Sequence, residues 1–196
     1  DDRLIPVLAD TLAPYDNVTV VHQDVLKADL VELIAKNFDG KHKIKLVANL
    51  PYYITTPIIL HLLEAPVDFD RIVVMMQKEV ADRLAAVPGT KDYGSLSVAV
   101  QYEMDAKVAF IVPKTVFIPQ PKVDSAIIVL EKKAVQTYEP VDEKFFKQMV
   151  KGIFLHRRKS LWNNLQGMYG KTPEIKEKMQ TALAKVEIEP GIRAEK

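Results

Sequence analysis

The chain has 196 residues, 48% of them hydrophobic, and a formal net charge of +1, which fits one domain, or one domain and a small second one, around a substantial core. No run of about 18 apolar residues and no charged-then-apolar leader is present, so neither a membrane nor a secretory role is expected. The absence of cysteine excludes disulfides and thiolate metal sites and fits a cytoplasmic location; His22, His42, His61 and His156 lack H-x-x-x-H spacing, so no metal centre is expected.

In chain order, Arg3 to Leu12 reads as a helix, ended by Ala13-Pro14-Tyr15-Asp16-Asn17, and Val18 to His22 as a short β-branched strand. Leu30 to Asn37 has helical spacing with Asp29 as its cap, and Lys43 to Ala48 is an apolar strand. Thr55 or Thr56 is placed to cap a helix reaching Glu64, with Pro57 at its first position. Arg71 to Met76 reads as a strand and Gln77 to Ala86 as a helix closed by Pro88-Gly89. The pattern of Ser95 to Tyr102 suits either state, and the helix is preferred; strands follow at Ala106 to Val112 and Ser125 to Leu130.

Alternating strands and helices predict a mostly parallel α/β sheet. The last two strands have no helix-length segment between them, so an antiparallel pair at the sheet edge is expected. From Val141 onward the pattern is helical only, at Glu143 to Leu155, Lys159 to Met168 and Glu174 to Val186. "VQTYEP", Val135 to Pro140, is the expected boundary between an α/β unit over 1–138 and an all-helical unit over 139–196.

Open α/β sheets bind ligands at the carboxyl ends of their strands. Gln23-Asp24-Val25 follows one strand and Asn49-Leu50-Pro51-Tyr52 another. An acid and an amide there could together face one polar ligand, the acid accepting hydrogen bonds and the amide donating and accepting. The same residues also suit a turn cap and a tight exit loop, and physical chemistry alone leaves both readings open.

"NLPYYITTPII", Asn49 to Ile59, resembles the asparagine-hydrophobe-proline-aromatic motif of amino-group methyltransferases that use S-adenosylmethionine. With "HQDVLKADL" at His22 to Leu30, "VFIPQPKVDSAII" at Val116 to Ile128 and "FLHRRKSLWNNL" at Phe154 to Leu165, the chain is similar over nearly its whole length to the adenine dimethyltransferases of small-subunit (16S) ribosomal RNA. The resemblance implies a Rossmann-like S-adenosylmethionine-dependent methyltransferase fold with a small helical C-terminal domain, and small-subunit RNA or the immature 30S subunit as partner.

It also implies roles. Asn49 and the Pro51 carbonyl would grip the two hydrogens of an adenine amino group, turning its lone pair toward the methyl donor. Tyr52 would stack on the base, with Phe117 as candidate for the other face of the flipped base and as alternative core residue. Tyr53 is expected to pack back into the protein. Asp24 and the Val25 backbone would hold the cofactor's adenine, with Asn49 beside it.

Two family features are not found in the sequence. None of the seven glycines stands in a G-x-G loop, and the acid expected to bind the cofactor's ribose would fall about two positions before Asp1. The chain is therefore expected to be a fragment without its first βα units, inactive alone, and short of the family's last helix.

The net charge hides a basic cluster in "HRRKSLWNNL", His156 to Leu165. Arg157, Arg158 and Lys159 are predicted at a helix start, where positive charge suits a phosphate; Asn163 and Asn164 one turn later are candidates for sugar or base-edge contacts. Leu161, Trp162 and Leu165 are expected in the core, and a solvated helix face remains the competing reading. Beside small-subunit methyl transfer stand two alternatives, a large-subunit adenine methyltransferase conferring antibiotic resistance and a non-catalytic ribosome-assembly factor.

Overall fold

A computed structural model describes residues 2–135 and 138–196. After a 3-10 turn at Asp2–Leu4 come α1 (Ile5–Leu12) and α2 (Leu30–Asn37), then β1 (Ile44–Asn49), α3 (Thr55–Glu64), β2 (Phe69–Gln77), α4 (Lys78–Leu84) and α5 (Ser95–Glu103). β3 (Met104–Val112) and β4 (Ser125–Lys132) complete a sheet of order β1-β2-β4-β3, and α6 (Glu143–Ile153), α7 (Leu161–Tyr169) and α8 (Pro173–Lys185) follow. The boundary expected at Val135 to Pro140 falls partly on 136 and 137, outside the described residues.

Helix starts follow local chemistry. The carboxylates of Asp29 and Asp142 accept from the Glu32 and Phe145 N–H groups at 3.0 and 2.9 Å, capping α2 and α6. Thr172 caps α8 ahead of Pro173, whose missing N–H costs nothing in a first turn.

β1 pairs parallel to β2, whereas β4 runs antiparallel to both β2 and β3. The expected β3–β4 pair therefore forms, but β4 lies inside the sheet between β2 and β3 instead of at its edge. Its composition explains the position. Ala126, Ile128 and Leu130 are buried on one face, and a strand so apolar gains more from two neighbours than from one. Ile72, Val74 and Met76 of β2 share that face, and Ile58, Ile59 and Leu62 of α3 with Val100 of α5 close over it.

Val18 to His22 is no strand. The run joins no ladder, and Val18, Val20 and Val21 stay exposed. β-branched composition favours a strand only where another backbone supplies ladder partners, and among the described residues β1 pairs with β2 alone.

A second, smaller core gathers Leu161, Leu165 and Leu183, with Ile153, Trp162, Met168 and Met179 packed around it. Leu161, Trp162 and Leu165 thus lie where the sequence put them. α5 joins the two cores. On its outer side Tyr102 meets Phe146 at 5.1 Å between ring centroids, and Glu103 pairs with Lys147 at 3.6 Å. The α4–α5 loop makes a second junction, where an Arg157 Nη donates to the Tyr93 carbonyl at 2.8 Å and the Tyr93 ring meets Phe154 edge-on. Burial there pushes the Tyr93 hydroxyl pKa up.

Arg157→Ala is expected to loosen this junction by about 1 kcal/mol, read as faster amide hydrogen exchange over residues 87–94 with the main sheet unchanged. Uniform exchange rates in mutant and parent would contradict the assignment.

Candidate active site

The ladder register collects one set of residues at one end of the sheet. Asn49 stands opposite Met75, Gln77 opposite Ser125, and Ser125 opposite Val112. The carboxyl ends of β1, β2 and β3 thus meet the amino end of β4. Because neighbours in register share a face and alternate residues change face, the side chains of Asn49, Met75 and Ser125 all lie on the face away from Ile72, Val74 and Ile128.

The chain leaves β1 through a hydrogen-bonded exit. The Leu50 N–H donates to the Met75 carbonyl at 3.1 Å, and Pro51 turns the backbone into a 3-10 turn, Tyr52–Ile54. The Pro51 carbonyl accepts from the Ile54 N–H at 3.2 Å and from the buried Thr55 hydroxyl at 3.0 Å. Two donors occupy its two lone pairs, so the carbonyl expected to hold a substrate amino group is already engaged within the protein. The Leu50 carbonyl, one residue earlier, meets no such donor among the described residues.

Thr55 and Thr56 do not cap α3. Ile54 occupies the N-cap position without a side-chain bond, and Pro57 is the third helical residue, because the 3-10 turn takes up the chain reversal ahead of the helix.

The two tyrosines also exchange expected places. Tyr53 is 85% exposed, whereas Tyr52 is half-buried and its hydroxyl is hydrogen-bonded to that of Ser125. The tight turn after Pro51 points successive side chains apart, and only Tyr52 is directed back over the sheet end. Phe117 follows the 3-10 turn Lys114–Val116 in the β3–β4 connection, neither buried nor free. Asp124 ties that connection down, accepting from the Lys114 N–H at 2.9 Å on its carboxylate and from the Lys78 N–H at 3.0 Å on its carbonyl.

Asp24 caps a 3-10 turn over Val25–Lys27, with Oδ1 accepting from the Leu26 N–H at 3.0 Å. That turn packs against α3, the helix into which the Asn49 motif leads. Oδ2 of Asp24 and the N–H of Val25 have no partner among the described residues. An acceptor beside a donor matches the amino and ring-nitrogen edge of an adenine.

The basic cluster departs from expectation. Arg157, Arg158 and Lys159 lie in the turn between α6 and α7, and Ser160 caps α7 by accepting from the Asn163 N–H at 3.3 Å. Asn163 is exposed, but Asn164 is 3% exposed and donates to the His156 carbonyl at 3.3 Å. Asn164 therefore cannot reach an RNA. Its place beside Leu161 and Leu165 in the i, i+3, i+4 pattern is the signal that marks it as internal.

The strand order and the residues at the strand ends define a Rossmann-like methyltransferase fold. Solved structures agree: a dimethyladenosine transferase from Plasmodium falciparum superposes with a TM-score of 0.76 at 24% identity, covering 100% of this chain and 74% of that one. The 23S rRNA methyltransferase ErmE gives 0.65 at 27%, covering 97% and 71%.

Residues 1–193 match the model of the ribosomal RNA adenine dimethylase family, and the chain belongs to that family. It is 72% identical over 196 residues to the ribosomal RNA small subunit methyltransferase A of Ligilactobacillus salivarius, and 63% identical over 195 residues to the protein of that name from Enterococcus faecalis. The chain spans 66% of the length of each of these curated relatives.

Proposed function

We propose that this chain is part of an enzyme that transfers methyl groups from S-adenosylmethionine to the N6 amino groups of adenines in small-subunit (16S) ribosomal RNA, acting in the cytoplasm on the immature 30S subunit. The observation that carries this reading is the acceptor pair beside Tyr52: the Asn49 side chain at the end of β1 and, one residue on, the Leu50 carbonyl, which has no internal donor among the described residues. The names of the relatives favour the small-subunit over the large-subunit substrate.

The amino nitrogen of adenine is a poor nucleophile because its lone pair is delocalised into the ring. Two acceptors holding its two hydrogens rotate that lone pair out of conjugation and fix its direction. In this reading Asn49 Oδ1 and the Leu50 carbonyl do so, with Leu50 replacing Pro51. Tyr52 stacks on the base, and Phe117 approaches its other face from the β3–β4 connection. No strong base is required, since the methylated nitrogen is acidic enough to release its proton to water.

When bound, S-adenosylmethionine supplies an electrophilic methyl group on a sulfonium. Asp24 and the Val25 N–H would hold its adenine edge. Over residues 1–138 the chain would supply this chemistry, and over 139–196 the helices would hold RNA.

A polypeptide of these 196 residues is expected to show no turnover with a radiolabelled methyl donor and small-subunit RNA, because none of its glycines forms a G-x-G loop. A chain of the relatives' full length is expected to turn over; activity in the shorter one would overturn this expectation, and inactivity in the longer one would overturn the proposed function.

Arg158 and Lys159 are exposed in the α6–α7 turn. Replacing both with alanine is expected to weaken RNA binding and to reduce the slope of log K against log salt by roughly 1.4 to 1.8. An unchanged slope would place the RNA elsewhere.

A further inference from the structure

We propose that Ser125 is a positioning residue for the base-binding site, holding Tyr52 through its hydroxyl so that the ring stays fixed beside Asn49 and Leu50; this rests on the reading of Tyr52 as the platform for an adenine.

Ser125 is completely buried, the first residue of β4, and paired on both sides, to Gln77 of β2 and Val112 of β3. A strand residue held by two ladders is among the least movable points of a fold. Tyr52, by contrast, sits in a short 3-10 turn, where one covalent end alone would leave its ring free to change rotamer. The hydrogen bond between the two hydroxyls anchors the far end of the ring to the sheet.

Packing alone does not call for a hydroxyl at this position. A buried hydroxyl without a partner is unfavourable, and an alanine follows at Ala126 with the same burial. Tyr52 is the side-chain partner that satisfies Ser125. The register also puts Ser125 and Asn49 on the same face of the sheet, so the bond draws the Tyr52 ring toward the side on which the Asn49 amide lies. Thr55 fixes the other end of the turn by donating to the Pro51 carbonyl. The ring and the acceptor pair are then set in relation to one another before any base arrives, which lowers the ordering cost of binding.

The test uses the 196-residue chain and a single-stranded oligoribonucleotide carrying 2-aminopurine, whose fluorescence falls on stacking. The parent chain is expected to quench the probe, and Ser125→Ala and Tyr52→Phe each to bind it about three- to tenfold more weakly. Ser125→Thr, which keeps the hydroxyl, is expected to restore binding. The double variant Ser125→Ala with Tyr52→Phe should be no weaker than either single one, because both remove the same bond.

Parent-like binding by Ser125→Ala, or losses that multiply in the double variant, would overturn the positioning role while leaving Tyr52 as platform. Absence of quenching by the parent chain, with Tyr52→Ala indistinguishable from it, would overturn the platform reading and this proposal with it. Should Ser125→Ala fail to fold, Tyr52→Phe removes the bond from the turn side, and parent-like binding by that variant overturns the proposal equally.

Discussion

Asn49→Ala, introduced into a chain of the relatives' full length, is expected to lower methyl transfer to small-subunit RNA by about 100-fold or more while leaving small-subunit binding essentially unchanged. The amide lies at the end of β1, one residue before a carbonyl that has no internal donor among the described residues. Removing it leaves the amino group held by one acceptor and its lone pair conjugated with the ring. Measuring methylation and subunit binding on the same preparation separates the enzyme from an assembly factor that acts by binding. Undiminished methylation by Asn49→Ala would sink the catalytic assignment. A variant that loses both properties with its fold intact would instead point to a binding role for the amide.

Ile128→Ala should have the largest effect on stability, about 2–5 kcal/mol. Ile128 is fully buried at the centre of β4, in register with Val74 of β2 and Val108 of β3, and faces the helices across the core. Against a typical total of about 5–15 kcal/mol, such a loss takes the fold close to its limit. Urea unfolding is expected to show a lower midpoint with an unchanged slope. Val47→Ala supplies the contrast: that side chain is 80% exposed on the opposite face, and a change of no more than about 0.5 kcal/mol is expected. Equal shifts for the two variants would mean that the core lies elsewhere.

Much of this was legible in the sequence because the signals are local. Asp29 marks the start of α2, the apolar run before Asn49 is β1, and the helix preferred over Ser95 to Tyr102 is α5, extended by one residue. What was not legible depends on partners distant along the chain. The position of β4 between β2 and β3 follows from pairing with two strands distant along the chain, which periodicity does not report. Val18 to His22 has the composition of a strand and lacks the neighbour that would make it one. At the proposed site, the motif pointed to the segment after β1, but whether Tyr52 or Tyr53 turns inward depends on a 3-10 turn, and which carbonyl is left without an internal donor depends on the Thr55 hydroxyl. Ser125 was part of a quoted motif without a role, because the bond that gives it one spans 73 residues.

The engagement of the Pro51 carbonyl bears on which bases the pocket could select. With its lone pairs taken by Ile54 and Thr55, the turn is a fixed frame in which the Leu50 oxygen has no internal donor among the described residues. A base with an exocyclic amino group offers two hydrogens to two acceptors. A base with a keto oxygen in that position, O6 of guanine or O4 of uracil, would set that oxygen against the Leu50 oxygen with no hydrogen between them to relieve the repulsion. The frame cannot rotate to accommodate such a base without breaking the bonds that hold Pro51. Discrimination against keto bases would then arise from what the backbone is unable to donate, with no side chain needed to exclude them.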